Sequence, residues 1–317
     1  MSRLYLFLFF ALISTTCLTQ KSERIAFYNV ENLFDTIDGP NNDAEFLPTG
    51  KKKWNSDKFI EKVNHINKVF CELNTPMLIG LCEIENVTVL NEIISENKAL
   101  KYYKTVHYDS KDARGIDVGM IYNSKKLKVA DQGFIRYTLP GQTKATSRDI
   151  VWAKFIYKKE SFYAMTNHWP SRRGGTEKSE AKRLKAANSA RHFIDSLLNI
   201  DANTKIILMG DLNDYPSNNS VQLIMEKLQP KIVSSSNKFG GTHNYKGEWN
   251  ILDHICISNG WGNGKLRSTS NHGTIHTTEE LLSTYKGNIV PFRTYGGAKY
   301  LGGYSDHLPV YIELYLK

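Results

Sequence analysis

The 317 residues suffice for one large α/β domain or two smaller ones, and 41% hydrophobic with 11% aromatic content is that of an ordinary globular protein. A formal charge of +9 and a pI near 9.1 suit an anionic partner, such as nucleic acid, a phosphorylated substrate or a membrane surface, although lysines on a solvated face give the same sum. Internal repeats and low-complexity tracts are absent, which excludes repeat architectures, and past the N-terminus no run is long and apolar enough to span a membrane.

At the N-terminus, Arg3 precedes an uninterrupted apolar run over residues 4–13, followed by Ser14-Thr15-Thr16-Cys17-Leu18-Thr19-Gln20. That is the layout of a Sec signal peptide over residues 1–20, and the run is shorter than the roughly 20 residues a spanning helix needs. An exported chain, periplasmic or secreted, is therefore expected, with residues 21–317 forming a single catalytic domain. Cys17 could instead carry a lipid, but Thr16 before it is larger than the small residue usual there. The cysteines left after cleavage, Cys71, Cys82 and Cys256, lie in apolar contexts at no metal-like spacing. They read as buried thiols, with one disulfide possible in an oxidising compartment.

Residues 24–35 begin as a strand and end in a polar cluster, Asn29, Glu31 and Asn32, which a turn would also explain. After a Gly/Pro/Asn-rich loop over residues 38–50, Ser56 or Asp57 caps a helix whose Phe59, Ile60, Val63, Ile66, Val69 and Phe70 share one face, and Pro76 ends that element. A buried strand over residues 77–82 then runs directly into Glu83, Glu85 and Asn86. A carboxylate at the end of an apolar run is costly to bury unless it is paired or bound to metal. The start of a helix is the other reading, since Val87, Leu90, Ile93 and Ile94 follow at helical spacing.

Four β-like runs follow, over residues 102–107, 118–122, 134–139 and 150–157, and consecutive strands imply antiparallel pairing. Arg114 and Arg148 sit in the turns before the second and fourth, where they could bind phosphate or simply be solvated. A strand over residues 161–166 ends on Asn167-His168-Trp169-Pro170-Ser171-Arg172-Arg173-Gly174-Gly175, a loop suited to a phosphate oxyanion. The helix from Thr176 to Asn199 keeps Leu184, Ala187, Ala190, Ile194, Leu197 and Leu198 inward, with Lys182, Arg183 and Lys185 on a solvated face. Another buried strand stops abruptly on Gly210-Asp211-Leu212-Asn213, where layered α/β proteins gather ligands. A short helix over residues 221–228 and a polar, Gly-rich region with His243, Tyr245 and Trp249 lead to residues 251–257. There Asp253 stands inside an apolar strand and must have a partner. Ser305-Asp306-His307 precedes a final alternating strand over residues 310–316.

Strand after strand thus ends on an acid, an amide or a histidine. The inventory is rich in oxygen and lacks HxH, HExxH and cysteine pairs, so it suits a hard cation such as Mg²⁺ or Mn²⁺ better than zinc. Phosphodiester hydrolysis needs an activated water and positive or hydrogen-bonding groups on the phosphoryl oxygens, which such an ion with histidine and asparagine provides.

The ordered set Asn29-x-Glu31-Asn32, Glu83, Asn167-His168, Gly210-Asp211-Leu212-Asn213, Asp253 and Ser305-Asp306-His307-x-Pro309 resembles the endonuclease/exonuclease/phosphatase superfamily of DNase I-like phosphodiesterases, across essentially the whole mature chain. The resemblance implies an α/β (α+β) four-layer sandwich: two packed mixed β-sheets flanked by helices. It implies that Glu83 is the principal metal ligand, with Asn29, Glu31 and Asp306 around the ion. Asp211 and Asn213 would position or deprotonate the attacking water and hold the phosphate. His307, oriented by Asp253, and His168 would flank the scissile phosphate, while Asn167, Arg114, Arg148 and Arg172 bind substrate phosphate. The expected activity is a Mg²⁺- or Mn²⁺-dependent nuclease acting as a monomer on DNA or RNA. The alternative is hydrolysis of a phospholipid head group, an inositol phosphate or another small phosphoester. A non-catalytic polyanion-binding module would have lost one of the acids, and here the set is complete.

Overall fold

Two strand–helix–strand crossovers set the frame of the chain, which the computed structural model describes over residues 22–268 and 272–317. The leader expected over residues 1–20, Cys17 included, lies outside the described residues. In the first crossover β1 (Glu23–Leu33) and β2 (Leu78–Ile84) pair in parallel, Ile25 opposite Leu78, through helix α1 (Ser56–Glu72). Helix α2 (Val87–Ser95) then leads to β3 (Tyr103–His107) and β4 (Asp117–Asn123), which extend the sheet antiparallel beyond β2. The strand Val310–Leu316 pairs antiparallel on the other side of β1, with Leu266–Ser268 and Thr274–Ile275 beyond it, making seven strands.

The second sheet repeats the plan. β5 (Leu127–Ile135), β6 (Ile150–Tyr157) and β7 (Glu160–His168) form a meander, and helix α3 (Thr176–Ile200) carries the chain over to β8 (Ile206–Asp211), parallel to β7. The strand Asp253–Ile257 pairs antiparallel with β8, and Gln229–Pro230 closes the six-stranded sheet. Both faces of the central strands are covered, so they read as continuous apolar runs rather than alternating ones.

Phe27, Leu78, Met120, Val151, Ala164, Met209 and Ile255 belong to one buried core that the inner faces share. The sheets approach closely at Gly80: a Cβ there would lie 2.8 Å from Met209 Cε and 3.0 Å from Thr166 Oγ1. On the outside, Val63, Ile66 and Phe70 of α1 cover the first sheet, and Ala187, Ala190 and Ile194 of α3 cover the second. Each such valine, isoleucine or phenylalanine contributes about 1.5–3 kcal/mol by burial, and an alanine methyl about 0.8 kcal/mol at most. The four-layer α/β sandwich expected from sequence is the fold observed.

Some local expectations change. The strand read over residues 134–139 runs instead over Leu127–Ile135, and residues 136–139 leave the sheet. A register shift between Val129 and Asp131 breaks the alternation that would have revealed it. Asn55, not Ser56 or Asp57, caps α1 by accepting from Lys58 N, and Ile60 faces solvent at 49% exposure. The short helix, α4, spans Asn219–Met225. All three described cysteines are free thiols, and Cys71 is exposed rather than buried.

Candidate active site

The carboxyl ends of both parallel pairs point to one seam between the sheets. β1 carries Asn29 in its carboxyl-terminal half and β2 carries Glu83 one residue before its end, β7 ends on His168 and β8 on Asp211, while Asp253, first residue of its strand, lies directly opposite Asp211. Two glycines permit this convergence. Gly210 has no room for a side chain, since a Cβ would sit 2.4 Å from the carbonyl oxygen of Asn167 on β7, and Gly80 lets the sheets close as described. Three of the polar ends adopt left-handed backbone, Glu31 (φ +50°), Glu83 (φ +60°) and Asn213 (φ +50°), a conformation that costs about 1 kcal/mol or more in a non-glycine residue.

Three nitrogens converge on a single oxygen, Asp211 Oδ2. Asn29 Nδ2 donates to it at 3.0 Å, His168 Nε2 lies at 3.6 Å and His307 Nε2 at 3.8 Å. The other oxygen, Oδ1, accepts the backbone N–H of Asn213 at 2.9 Å. Burial pushes the Asp211 carboxyl up to about 7, with His307 pulling the other way and Asp253 adding to the rise. His307 Nδ1 meets Asp253 Oδ2 at 2.7 Å. Burial opposes a charge on this ring, but the Asp253 and Asp211 carboxylates outweigh it and hold the imidazole well above its usual value. His168 is held well below its usual value by burial and by the nearby Arg148 and Arg114, so its Nε2 is that of a neutral ring.

Glu83 reaches into the same space. Its Oε2 accepts Asn32 N at 3.0 Å and its Oε1 lies 3.8 Å from His168 Nε2, yet among the described residues it has no lysine or arginine partner. Across from it, Asp306 is bonded by Arg293, and His243 and His307 stand close enough that the three could share one ion. Burial opposes ionisation of Asp306, but His307 and Arg293 together hold it down at about 2. Carboxylate oxygens, one acid among them outside any lysine or arginine ion pair, fit a hard divalent cation.

These groups floor a cleft of about 650 Å³ whose rim carries Arg114, Arg172 and Arg173. Arg172 lies flat on the Tyr215 ring, 3.9 Å from its centroid.

A protein-family model described as "Endonuclease/Exonuclease/phosphatase family" matches residues 24–316. The chain belongs to that family. Its members are hydrolytic phosphoesterases that use divalent metals, and this protein is a phosphoester hydrolase with acidic and histidine groups able to hold such an ion. Among solved structures, an endonuclease/exonuclease/phosphatase family protein from Bacteroides thetaiotaomicron is similar at TM-score 0.64 and 16% identity, over 94% of this chain and 99% of that one. A mannosyl-6-phosphatase from the same organism gives 0.61 and 16%, over 92% and 99%. D. rerio TDP2 complexed with single-strand DNA product gives 0.60 and 14%, over 93% and 99%. No curated protein matches by sequence.

Of the residues expected at the site of this phosphoesterase, Asn29, Glu83, His168, Asp211, Asn213, Asp253, Asp306 and His307 come together, with Arg114 and Arg172 on the rim. Others do not reach it. Glu31 turns its carboxylate onto the backbone N–H groups of Thr294 and Tyr295, and burial with nearby Asp306 pushes it up to about 7. Asn167 is fully buried, donating to Met209 O and accepting from Trp169 Nε1, so neither end of its amide is left for substrate. Arg148 is buried beneath the loop, where it donates to the carbonyls of His168 and Trp169 and pairs with Asp112. Arg183, expected on a solvated face, is fully buried 2.6 Å from Asp214.

Sequence reasoning missed Arg293 and His243, and had Arg173 only as part of the phosphate-suited loop after His168. Arg293 lies in an irregular stretch with no periodicity to flag it. His243 did carry a signal, a histidine in a short polar segment whose backbone bridges to His307.

Proposed function

We propose that the protein is an exported, Mg²⁺-dependent nuclease, with Mn²⁺ able to replace Mg²⁺. One observation carries the reading: the Asp211 oxygen on which Asn29, His168 and His307 converge lies in a cleft that three guanidinium groups, Arg114, Arg172 and Arg173, help to line. Three guanidinium groups lining one cleft supply more cationic contacts than a single phosphate monoester needs and suit a chain that carries a phosphate at each step. The single-strand DNA product held by D. rerio TDP2 on the same fold supports this choice, and the leader-like residues 1–20 support export.

In this mechanism Asp211, its two oxygens fixed by Asn29 and the Asn213 N–H, takes the proton of the attacking water; a carboxyl raised to about 7 is a competent base near neutrality. The His307 imidazolium, held in one tautomer by Asp253, faces the charge that builds on the phosphate. The neutral His168 Nε2–H donates a hydrogen bond to a second oxygen. Glu83 and Asp306 would hold the Mg²⁺, which neutralises phosphoryl charge when bound.

A second reading has its own support. A cleft of about 650 Å³ is the size of a small-molecule pocket, and a mannosyl-6-phosphatase shares the fold, so a small phosphoester is the competing substrate. Incubation with plasmid, single-stranded DNA, RNA, p-nitrophenyl phosphate and sugar phosphates separates the two. Cleavage of polynucleotide is expected, and hydrolysis of monoesters alone would sink the nuclease reading. EDTA should abolish turnover and added Mg²⁺ restore it, whereas full activity in chelator would rule out the metal requirement.

A further inference from the structure

Two β-hairpins stand beside the cleft, His243–Tyr245 with Glu248–Asn250 and Leu282–Tyr285 with Asn288–Pro291. Their tips carry the same three residues, Tyr245-Lys246-Gly247 and Tyr285-Lys286-Gly287. Tyr245 pairs with Glu248 and Tyr285 with Asn288, so each Lys-Gly is a two-residue loop. Its φ angles are +54° and +92° in the first hairpin and +49° and +80° in the second, the two successive left-handed residues of a type I′ turn. Asparagine or aspartate is the residue such a turn prefers before glycine, because lysine is strained there. Both tips nonetheless use lysine.

The tyrosines are equally out of place for stability. Tyr245 is 60% exposed and Tyr285 64%, and each has its own tip lysine over the ring, Nζ to centroid 5.3 and 5.5 Å. Among the described residues neither Lys246 nor Lys286 is paired with a carboxylate. The hairpins lie side by side, since a Cβ on Gly247 would be 3.1 Å from Asn288 Oδ1. Between them runs a groove of about 320 Å³ walled by Lys246, Tyr285, Lys286, Arg293 and Asp306. Asp306 also lines the catalytic cleft, and Tyr245 forms part of that cleft's wall, so one continuous surface leads from Asp211 and His307 to both tips.

We infer that the twin hairpins form a subsite for the nucleotides flanking the scissile phosphate of a single-stranded nucleic acid, the tyrosines stacking on bases and the tip lysines meeting backbone phosphates. This rests on the nuclease reading above. Interleaved aromatic faces and unpaired cations are what a single strand offers partners for: exposed base faces that stack without sequence preference, and a phosphate at each step. A duplex hides its base faces inside the stack. A sugar phosphate or other small ester fills the cleft alone and leaves the second groove with its lysines unmatched.

The test uses the full chain and its Tyr285→Ala, Lys286→Ala and Lys246→Ala/Lys286→Ala variants, with Tyr285→Phe and Lys286→Arg as conservative counterparts. Binding of a fluorescein-labelled oligothymidylate is followed by anisotropy in EDTA, where no turnover occurs. The ratio of kcat/KM for that oligonucleotide to kcat/KM for bis(p-nitrophenyl) phosphate is measured with Mg²⁺. The alanine variants should bind about 5- to 100-fold more weakly and lower the ratio by a similar factor, with Tyr285→Phe and Lys286→Arg restoring most of both. A duplex of the same length should bind at least tenfold more weakly than the single strand. Alanine variants that bind within twofold of wild type, or a phenylalanine variant as weak as alanine, would overturn the subsite. Failure of the wild type to cleave the oligonucleotide while it hydrolyses small esters would instead overturn the nuclease reading, so the two failures are distinguishable.

Discussion

Asp253 is buried to 1% exposure, and its Oδ2 meets the His307 ring 2.7 Å away. Replacing it with asparagine leaves the shape and removes the carboxylate that offsets burial of the imidazolium, so the His307 pKa should fall. We expect Asp253→Asn to lower kcat by about 10²- to 10⁴-fold with little change in Tm. The histidine titration followed by NMR should shift downward; an unmoved titration would refute the pairing. Glu85 offers a test away from the chemistry. Burial pushes its carboxyl up to about 7, against the hydrogen bonds from Asp35 N and Asn41 Nδ2. Near 4.5 in the unfolded chain, it binds its proton first in the folded one, so the fold gains stability as pH falls from 8 through 7 and the gain is complete below about 4.5. Glu85→Gln should therefore be more stable than wild type at pH 8, by on the order of 1 kcal/mol, with the advantage gone at pH 5. Differential scanning calorimetry at the two pH values checks this. At this scale the need of Asp253 for a partner was legible, because an acid in an apolar strand admits few explanations. The inward turn of Asn167 was not, because position along a strand end does not say which face an amide takes.

Helix α3 shows what periodicity reveals and what it conceals. Its span was readable from the apolar stripe of Ala187, Ala190, Ile194 and Leu197. Arg183 stands four residues before Ala187 on that same stripe, and so does Ser179, four residues earlier again; charge alone argued for solvent. The structure uses the register instead. Arg183 passes under the loop to Asp214, donates to Ser179 Oγ and Thr176 O, and thereby pins the turn that carries Asn213. Removing one member of a buried pair leaves an uncompensated charge, and Arg183→Ala should cost about 3–5 kcal/mol in urea unfolding. The Arg183→Ala/Asp214→Ala double variant should lose clearly less than the sum of the two single changes. Strict additivity would show that the two do not act as a pair. Strands behaved likewise. Continuous apolar runs announced β2 and β8, whereas β5, half polar and bulged at Asp131, gave no comparable pattern.

Across the whole molecule, the formal charge of +9 has a measurable consequence if the substrate is a polyanion. Besides Arg293, which is bonded to Asp306, five cations, Arg114, Arg172, Arg173, Lys246 and Lys286, line the cleft and the groove beside it. With about five phosphates neutralised on a single strand, affinity should fall on the order of 10²-fold between 50 and 200 mM salt. A flat salt dependence, with KM as insensitive as that for bis(p-nitrophenyl) phosphate, would argue for a small ester. The layered architecture was readable from the order of strands and helices, and the site from the polar residues at their ends. The twin tips were not, because a three-residue repeat is too short to stand out until both copies are seen side by side. One pairing in the first sheet also bears on when activity first arises. The strand Val310–Leu316 lies against β1, with Glu23 opposite Leu314, and Asp306 and His307 immediately precede it. Residues near opposite ends of the sequence must therefore meet before the first sheet has its complement of strands, an arrangement of high contact order that folds slowly. A nascent chain of three hundred residues still lacks His307, which the proposed mechanism sets against the phosphate. Under the proposed mechanism, the chain cannot hydrolyse phosphoesters until Asp306 and His307 have been made and the strand that follows them has paired with β1.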